Sequence, residues 1–374
     1  MVQRQIEKQI KGSFNKKKVI ILLGPRQTGK TTLLKHIVKS IDQHIWLSGD
    51  EYDIQRAFKN PTSTELKAFI GTSKYVVIDE AQNIENIGIA LKLLVDNYDD
   101  LQVIATGSSS FELGNQTSEP LTGRKFEYRL FPFSLEEMIH HHGFLKETRL
   151  LKHRLVYGMY PEVINNENNQ KDILKLLADS YLFRDILMLE SIKKPDKLVK
   201  LLQALAYQIG SEVSYNEIGK LIGLDNKTVE VYIDLLEKSF VVFRLNSFSR
   251  NHRSELKKSK KVFFYDNGIR NAVISNYAYF DVREDKGALW ENFLIAERMK
   301  FNHYHKHYVN PYFWRTKNQQ EIDYIEEGDG KLSAFEMKWN SSKKHKITKT
   351  FTNTYPNSTV KIIHPKNYHE WLTV

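Results

Sequence analysis

The residues best suited to chemistry lie near the start of the chain, in a loop with glycines at both ends. They fit the pattern G-x-x-x-x-G-K-[ST] and are Gly24, Pro25, Arg26, Gln27, Thr28, Gly29, Lys30, Thr31 and Thr32. The glycines allow a tight turn whose N–H groups face one point, and a helix that starts there adds positive potential. We predict a phosphate-binding loop in which Lys30 reaches the terminal phosphates and the Thr31 hydroxyl binds Mg²⁺.

Two acidic residues follow a hydrophobic run further along the chain. Residues 75–78 are hydrophobic and lead directly into Asp79 and Glu80. The carboxyl ends of strands are where open α/β sheets bind their ligands. We therefore predict that Asp79 binds Mg²⁺ through water and that Glu80 orients and activates a water for attack on ATP.

Two further segments could complete a hydrolytic site. Residues 103–105 are apolar and run into Thr106 and Ser108, either of which could hydrogen-bond the γ-phosphate or the attacking water. Arg124 precedes another apolar segment and could act as an arginine finger, which can be worth about 10³–10⁵ in rate. The alternatives are a serine-rich turn and a surface arginine. The sequence leaves open whether Arg124 serves its own site or a neighbour's.

Strands and helices alternate around these motifs. The predicted strands are 19–23, 44–48, 75–79, 102–106 and 126–131, and the predicted helices are 31–41, 64–70 and 87–97. Such alternation is typical of an α/β fold in which helices cover a parallel sheet. We expect this fold to occupy residues 1–135 as the first domain.

The remainder of the chain has other patterns. Residues 136–196 read as helices and would form a lid or linker. Residues 197–250 read as three helices followed by strands, which is the order of a winged helix-turn-helix. Residues 251–374 mix strands with one long helix and would form the last domain.

The second helix of the winged-helix segment is not strongly basic. Its exposed positions include Lys227 but also Glu230 and Asp234, whereas a DNA-reading helix usually carries more positive charge. We therefore favour packing or protein contact over base-specific reading. The basic run at 250–261 is a better candidate for phosphate contacts, with a solvated charged loop as the alternative. A second basic run lies at 343–349.

Three carboxylates and a lysine are spaced along the last domain. Glu291 lies in a predicted helix, and Asp323, Glu336 and Lys338 lie in predicted strands. Their order resembles the PD-(D/E)xK nuclease core, with Ile322 where the pattern has proline. In that core carboxylates hold Mg²⁺ and the lysine activates water. Two readings stay open: an active metal-dependent nuclease, and an inactive module that serves as a scaffold or binds nucleic acid.

Composition narrows the classes of protein. A chain of 374 residues with 41% hydrophobic and 27% charged residues has an ordinary globular balance. The absence of cysteine excludes disulfides and thiol chemistry. A net charge of +10 weakly favours polyanionic partners. No apolar run approaches the roughly 20 residues of a membrane span, and the first residues lack the apolar core of a secretory signal. We expect a cytoplasmic protein with no membrane partner.

Taken together, these motifs resemble the prokaryotic AAA-type ATPases that carry a C-terminal domain of unknown function, DUF4143. The matching segments are 24–32, 78–82, 106–108, 121–124, 130–133, 158–162, 183–185 and 265–268. The resemblance spans almost the whole chain. It implies an AAA+-like P-loop NTPase core with a parallel sheet, then a helical lid, a winged helix-turn-helix and a mixed α/β restriction-endonuclease-like module, with ATP and Mg²⁺ as cofactors.

Two functional hypotheses follow. The first is a Mg²⁺-dependent ATPase that couples its nucleotide state, ATP or ADP, to the C-terminal modules, with double-stranded DNA as one candidate target. The alternative is an ATP-switched nucleic-acid-binding protein or metal-dependent nuclease with slow ATP turnover. A protein partner is a further candidate, and the sequence leaves the oligomeric state open.

Overall fold

The computed structural model describes residues 1–108, 120–182, 194–249, 260–316, 318–340 and 349–374. The chain divides into two compact units. One comprises Met1–Pro132 with Lys238–Phe240, and the other comprises Phe133–Glu237 with Val241–Val374. Apart from residues 238–240, the predicted segments 136–196, 197–250 and 251–374 all belong to the second unit.

The first unit is built on a five-stranded parallel sheet with the strand order β2-β3-β4-β1-β5. Its strands are β1 (Val19–Leu23), β2 (His44–Ser48), β3 (Tyr75–Asp79), β4 (Gln102–Gly107) and β5 (Lys125–Arg129). β1 and β4 are buried along their whole length. Strands covered on both faces read as continuous apolar runs, which is why the sequence locates them so closely.

Helices connect the strands of this sheet. They are α1 (Glu7–Lys11), α2 (Lys30–Val38), α3 (Tyr52–Lys59), α4 (Ser63–Ile70) and α5 (Ile87–Asn97), with a 3₁₀ turn at Ala81–Asn83. Thr62 caps α4 through a capping box with Glu65. The apolar positions of α2 and α5 face the sheet, so both helices are held by burial of one side.

Strand register decides which ends of the strands meet. β1 pairs in parallel with β4 (Leu23 with Gly107), and β4 pairs in parallel with β3 (Ala105 with Ile78). The segments that follow β1, β3 and β4 therefore meet at one edge of the sheet. β5 also runs parallel to β1, with Lys125 beside Val19, so residues just before β5 lie at the opposite edge.

The second unit contains a seven-stranded sheet with the order β12-β11-β10-β9-β7-β8-β6. Its strands are β6 (Glu212–Val213), β7 (Val242–Ser247), β8 (Lys260–Phe264), β9 (Asn310–Arg315), β10 (Glu321–Gly328), β11 (Lys331–Met337) and β12 (Ser358–Ile363). The pairs β7–β9 and β11–β12 are parallel, and the others are antiparallel.

The helices of the second unit follow the predicted order. They are α6 (Leu135–His142), α7 (Phe144–Tyr157), α8 (Pro161–Asn165), α9 (Gln170–Leu176), α10 (Pro195–Tyr207), α11 (Tyr215–Ile222), α12 (Asn226–Lys238), α13 (Asn267–Val273), α14 (Lys286–Tyr304), α15 (Lys349–Thr354) and α16 (Tyr368–Leu372). A π-helical turn spans Leu177–Leu182, and a 3₁₀ turn spans Phe280–Val282.

Strands β6, β7 and β8 lie side by side at one end of this sheet. β8 lies between β6 and β7 and is antiparallel to both, and α11 and α12 lie between β6 and β7 in the chain. β7 also pairs with β9, so the sheet continues into the C-terminal strands. The predicted boundary at 250/251 therefore falls within one continuous sheet, and Phe248 packs in a core with Trp314 and Phe351.

Across the described parts of the chain, none of the helices combines the length and the apolar character that crossing a membrane requires.

Candidate active site

The phosphate loop connects β1 to α2. A Cβ atom on Gly24 would collide with the backbone carbonyl of Leu130, so only glycine fits there. Gly29 caps α2 with a left-handed φ of 91°, a conformation that glycine adopts without strain. The nine predicted loop residues thus lie between the end of a buried strand and the first turn of a helix, with Thr32 exposed on that helix.

Lys30 lies inside this loop. Its Nζ donates hydrogen bonds to the carbonyls of Gly24 (2.8 Å) and Pro25 (3.0 Å), and the side chain is buried. Thr28 Oγ1 donates to the same Pro25 carbonyl at 2.8 Å and closes the turn. The loop therefore holds a positive charge at its centre, where a phosphate chain would be neutralised.

Arg4 supports the loop from outside the sequence motifs. Its Nη1 donates to the carbonyl of Thr28 at 2.7 Å and its Nη2 donates to the carbonyl of Phe131 at 2.6 Å. Arg4 is buried and joins the loop to the segment after β5. Sequence reasoning missed it. The one available signal is that an arginine stands among the buried apolar positions 2, 6 and 10.

Asp79 ends β3 with both carboxylate oxygens engaged. Thr31 Oγ1 donates to Oδ2 at 2.8 Å, and Thr106 Oγ1 donates to Oδ1 at 2.5 Å. Thr106 is fully buried, so its hydroxyl orients Asp79. The prediction that Thr106 contacts the γ-phosphate does not fit this position, because Asp79 and the backbone of Glu80 already use its hydroxyl.

Glu80 adopts a strained backbone conformation. Its φ is 50°, in the left-handed region that residues other than glycine rarely enter. The backbone N–H of Glu80 donates to Thr106 Oγ1 at 2.9 Å, and this bond holds the conformation. Strain of this kind costs about 1–3 kcal/mol and is concentrated at functional sites.

Gln82 holds the Glu80 carboxylate. Its Nε2 donates to Glu80 Oε2 at 2.5 Å and to Ser108 Oγ at 3.3 Å. Gln82 is buried, and its Oε1 has no hydrogen-bond partner within the described residues. An unsatisfied buried acceptor costs about 1–3 kcal/mol, so this oxygen calls for a donor such as water. The sequence places Gln82 in the segment 78–82 that resembles the family, but it predicted no role for this residue.

The oxygen atoms around Asp79 suit Mg²⁺. In the described part of the chain no three His, Asp or Glu side chains are placed to hold a metal ion by themselves. Mg²⁺ commonly uses only one or two carboxylates and completes its shell with water and phosphate oxygens. The Thr31 hydroxyl and the Asp79 carboxylate, which are hydrogen-bonded to each other, fit that requirement.

Arg124 is not brought to this site. Its carbonyl accepts a hydrogen bond from the N–H of Val19 at 2.9 Å, at the start of β1. The phosphate loop follows the other end of that strand, about 16 Å away for five residues. Arg124 Nε donates instead to Asp96 Oδ1 on α5 at 2.7 Å. Action of Arg124 on its own phosphate loop is therefore excluded by strand register.

The predicted C-terminal residues do come together in the second unit. β10 and β11 are antiparallel with Tyr324 beside Phe335, so Asp323 lies opposite Glu336. Lys338 Nζ contacts Glu336 Oε2 at 2.8 Å and Asp323 Oδ2 at 3.4 Å. The N–H of Met337 donates to the same Asp323 oxygen at 2.6 Å.

Lys261 adds a second cation that the sequence did not place there. Its Nζ contacts Glu291 Oε1 on α14 at 3.0 Å and forms an ion pair with Glu321 on β10. Burial raises the pKa of Glu291 to about 8, although Lys261 opposes the shift. Burial, followed by the charge of Asp323, raises the pKa of Glu336 to about 7.

The predicted basic runs have different outcomes. Residues 250–259 and 341–348 lie outside the described residues, as does the motif at 183–185. Lys260 Nζ lies 3.8 Å from Glu230 on α12, and Lys261 is buried. The prediction that this run offers its lysines to phosphates is therefore wrong for Lys261.

The acidic residues of α12 contact the neighbouring strand. Arg244 on β7 pairs with Asp234 at 2.6 Å and with Glu237 at 2.5 Å. These carboxylates are therefore compensated within the fold. Because Arg244 neutralises these two carboxylates, their presence in the sequence argues only weakly against a nucleic-acid contact.

Comparison with protein families supports the same division of the chain. Residues 16–139 match the AAA domain family, residues 148–278 match a domain of unknown function (DUF8612), and residues 286–370 match the domain of unknown function DUF4143. The chain thus contains a member of the AAA domain family and a C-terminal DUF4143 domain. Nucleotide binding by the AAA domain follows from this membership.

Relatives of this AAA–DUF4143 chain occur in bacteria and archaea. An uncharacterized protein of Mycobacterium tuberculosis is 25% identical over 345 residues, which cover 91% of this chain and 74% of that protein. An uncharacterized protein of Methanocaldococcus jannaschii is 25% identical over 353 residues, which cover 88% and 76%. The similarity thus extends well beyond the AAA domain.

A solved structure has the same fold. The Walker-type ATPase PABY2304 of Pyrococcus abyssi superposes with a TM-score of 0.52 at 16% identity, covering 73% of this chain and 96% of that one. This likeness supports the predicted α/β class with a parallel sheet core.

Proposed function

We propose that the first unit binds Mg²⁺–ATP and hydrolyses it, with Glu80 as the residue that orients and activates water. The hydrogen-bonded chain from Thr31 through Asp79 and Thr106 to Glu80 is the observation that carries this proposal. It positions both acidic residues beside the phosphate loop in one rigid arrangement.

We assign the binding of Mg²⁺–ATP to the phosphate loop. Its backbone N–H groups and Lys30 neutralise the phosphates, and Thr31 and Asp79 hold Mg²⁺. When bound, the cation supplies charge neutralisation at the β- and γ-phosphate oxygens. Arg4 keeps the loop in shape through the Thr28 carbonyl and acts as a positioning residue.

We assign the activation of water for ATP hydrolysis to Glu80. The oxygen of a water attacks the γ-phosphorus while the bond between that phosphorus and the bridging oxygen breaks, which yields ADP and inorganic phosphate. Glu80 accepts the proton of this water, and Gln82 holds the Glu80 carboxylate through its Nε2. Ser108, bonded to Gln82, lies at the end of β4 beside this site.

We further propose that nucleotide turnover is coupled to a target of the second unit. Double-stranded DNA is the first candidate, because the chain has a net charge of +10 and the second unit has the strand and helix order of a winged helix. A protein is the second candidate, since the described part of α12 is not strongly basic.

Steady-state ATP hydrolysis by the full chain tests both the role of Glu80 and the choice between DNA and protein as the target. We expect Mg²⁺-dependent turnover in the wild type and a loss of about 10²–10⁴-fold in Glu80→Gln, with ATP binding retained. Normal turnover by Glu80→Gln would remove Glu80 from the mechanism. Hydrolysis that rises with double-stranded DNA would support DNA as the target, and hydrolysis indifferent to DNA would favour a protein.

A further inference from the structure

A lysine lies inside the acidic cluster of the second unit. The Lys261 side chain is 2% exposed, and its Nζ contacts Glu291 and Glu321. A buried ammonium is tolerated only when it is paired. Burial lowers the pKa of Lys261, but the charges of these two carboxylates outweigh it and raise the pKa overall, so Lys261 is charged.

The other carboxylates of the cluster are paired with a second lysine. Lys338 contacts Glu336 and Asp323, which lie opposite each other on β10 and β11. Like charges at directly opposed strand positions are destabilising without such a partner. Asp323 Oδ2 also accepts the Met337 N–H. Each carboxylate in the predicted metal set thus has a lysine in contact with it.

This arrangement does not fit a divalent metal. A Mg²⁺ site needs carboxylate oxygens directed at one point about 2.0–2.1 Å away. The oxygens of Glu291, Glu321 and Glu336 are directed at ammonium groups instead.

We propose that Lys261 is the resident cation of this cluster, taking the position that a metal holds in an active PD-(D/E)xK site. The DUF4143 domain then binds no catalytic metal and is not a metal-dependent nuclease. Its ion pairs join β8 of the winged helix to α14 and β10, so the cluster links the two modules. This inference does not depend on ATP hydrolysis.

Manganese binding to the nucleotide-free full chain tests the proposal. The measurements use an Asp79→Asn background, which removes the carboxylate of the phosphate site. We expect Asp323→Asn to leave Mn²⁺ binding unchanged, because the cluster holds no metal. Asparagine keeps an acceptor for the Met337 N–H, so this variant preserves the local fold.

Replacing Lys261, the resident cation, should create a metal site that the wild-type cluster lacks. We expect Lys261→Met to gain a Mn²⁺ site at least about tenfold tighter than any in its parent, or about 1.4 kcal/mol. Adding Asp323→Asn should abolish that gain. Lys260→Met is the matched control, since Lys260 precedes Lys261 on β8 but contacts Glu230, and it should gain nothing.

Three outcomes would overturn the proposal. One is a Mn²⁺ site in the Asp79→Asn parent that Asp323→Asn removes. Another is Mg²⁺-dependent nicking of DNA by the wild type that Asp323→Asn abolishes. The third is a folded Lys261→Met variant with no new site. If Lys261→Met does not fold, the proposal is tested by comparing Mn²⁺ binding of the Asp79→Asn parent with that of the same parent carrying Asp323→Asn.

Discussion

Thr31 donates its hydroxyl hydrogen bond to Asp79 across 2.8 Å, which joins the first turn of α2 to the end of β3. The two residues are far apart in sequence and belong to different motifs. Their contact marks the point where a hydroxyl and a carboxylate can share one hard cation. It also shows that the phosphate loop and the acidic strand end form a single site.

Lys30→Ala should weaken ATP binding by at least about tenfold, because a charge-assisted hydrogen bond is worth about 1.5–3 kcal/mol. The ammonium lies inside the loop, where it is bonded to the carbonyls of Gly24 and Pro25. Titration calorimetry with ATP and Mg²⁺ measures the effect. Lys35→Ala, on the exposed side of the same helix, is the control and should bind normally.

Gln82→Ala should lower kcat by about 10–100-fold while ATP affinity stays near the wild-type value. The expected loss reflects the release of the Glu80 carboxylate from its 2.5 Å hydrogen bond with Gln82. Single-turnover hydrolysis and equilibrium ATP binding separate the two quantities. Equal losses in kcat and affinity would instead indicate a structural role for Gln82.

Arg4→Ala should reduce both ATP affinity and thermal stability. Two buried carbonyls, those of Thr28 and Phe131, would lose their donors at about 1–3 kcal/mol each. Differential scanning fluorimetry with and without ATP reports both effects. Arg56→Ala, at an exposed position of α3, should leave both unchanged. An unaltered melting temperature for Arg4→Ala would contradict the bracing role.

Arg124→Ala should leave hydrolysis per chain within about twofold of wild type at the highest dilution, where any neighbour's arginine is absent. The reason is that Arg124 lies at the opposite end of β1 from the phosphate loop. Rates measured over a series of protein concentrations test this. A large loss that persists on dilution would show that Arg124 reaches its own site.

The acidic cluster should make stability depend on pH. The pKa of Glu336 is raised from an ordinary 4.5 to about 7, so between these values the folded chain binds more protons than the unfolded chain. The free energy of unfolding should therefore fall as pH rises from about 5 to about 8. Urea denaturation across this range measures the slope. Glu336→Gln should make the slope shallower and leave the contribution of Glu291, whose pKa is raised to about 8; an unchanged slope would contradict this assignment.

Much of the first unit could be predicted because its signals are local. An apolar run such as the one that ends in Asp79 and Glu80, with helices predicted on both sides of it in the chain, is typical of a buried parallel strand. The phosphate loop likewise carries its requirements in its own residues, since Gly24 and Gly29 permit the turn that Lys30 and Thr31 complete.

Residue types and local spacing alone therefore predicted the phosphate loop, the acidic strand end, and the alternating strands and helices of the first unit. Contacts across the fold place Arg4 against the phosphate loop and Gln82 against Glu80. They also place Arg124 at the opposite end of β1 from that loop and bury Lys261 among carboxylates. These outcomes depend on strand register and on contacts between residues far apart in the chain. Residue type and local spacing do not fix either one, because they do not say which strands pair, and a one-residue change in register redirects every side chain of a strand.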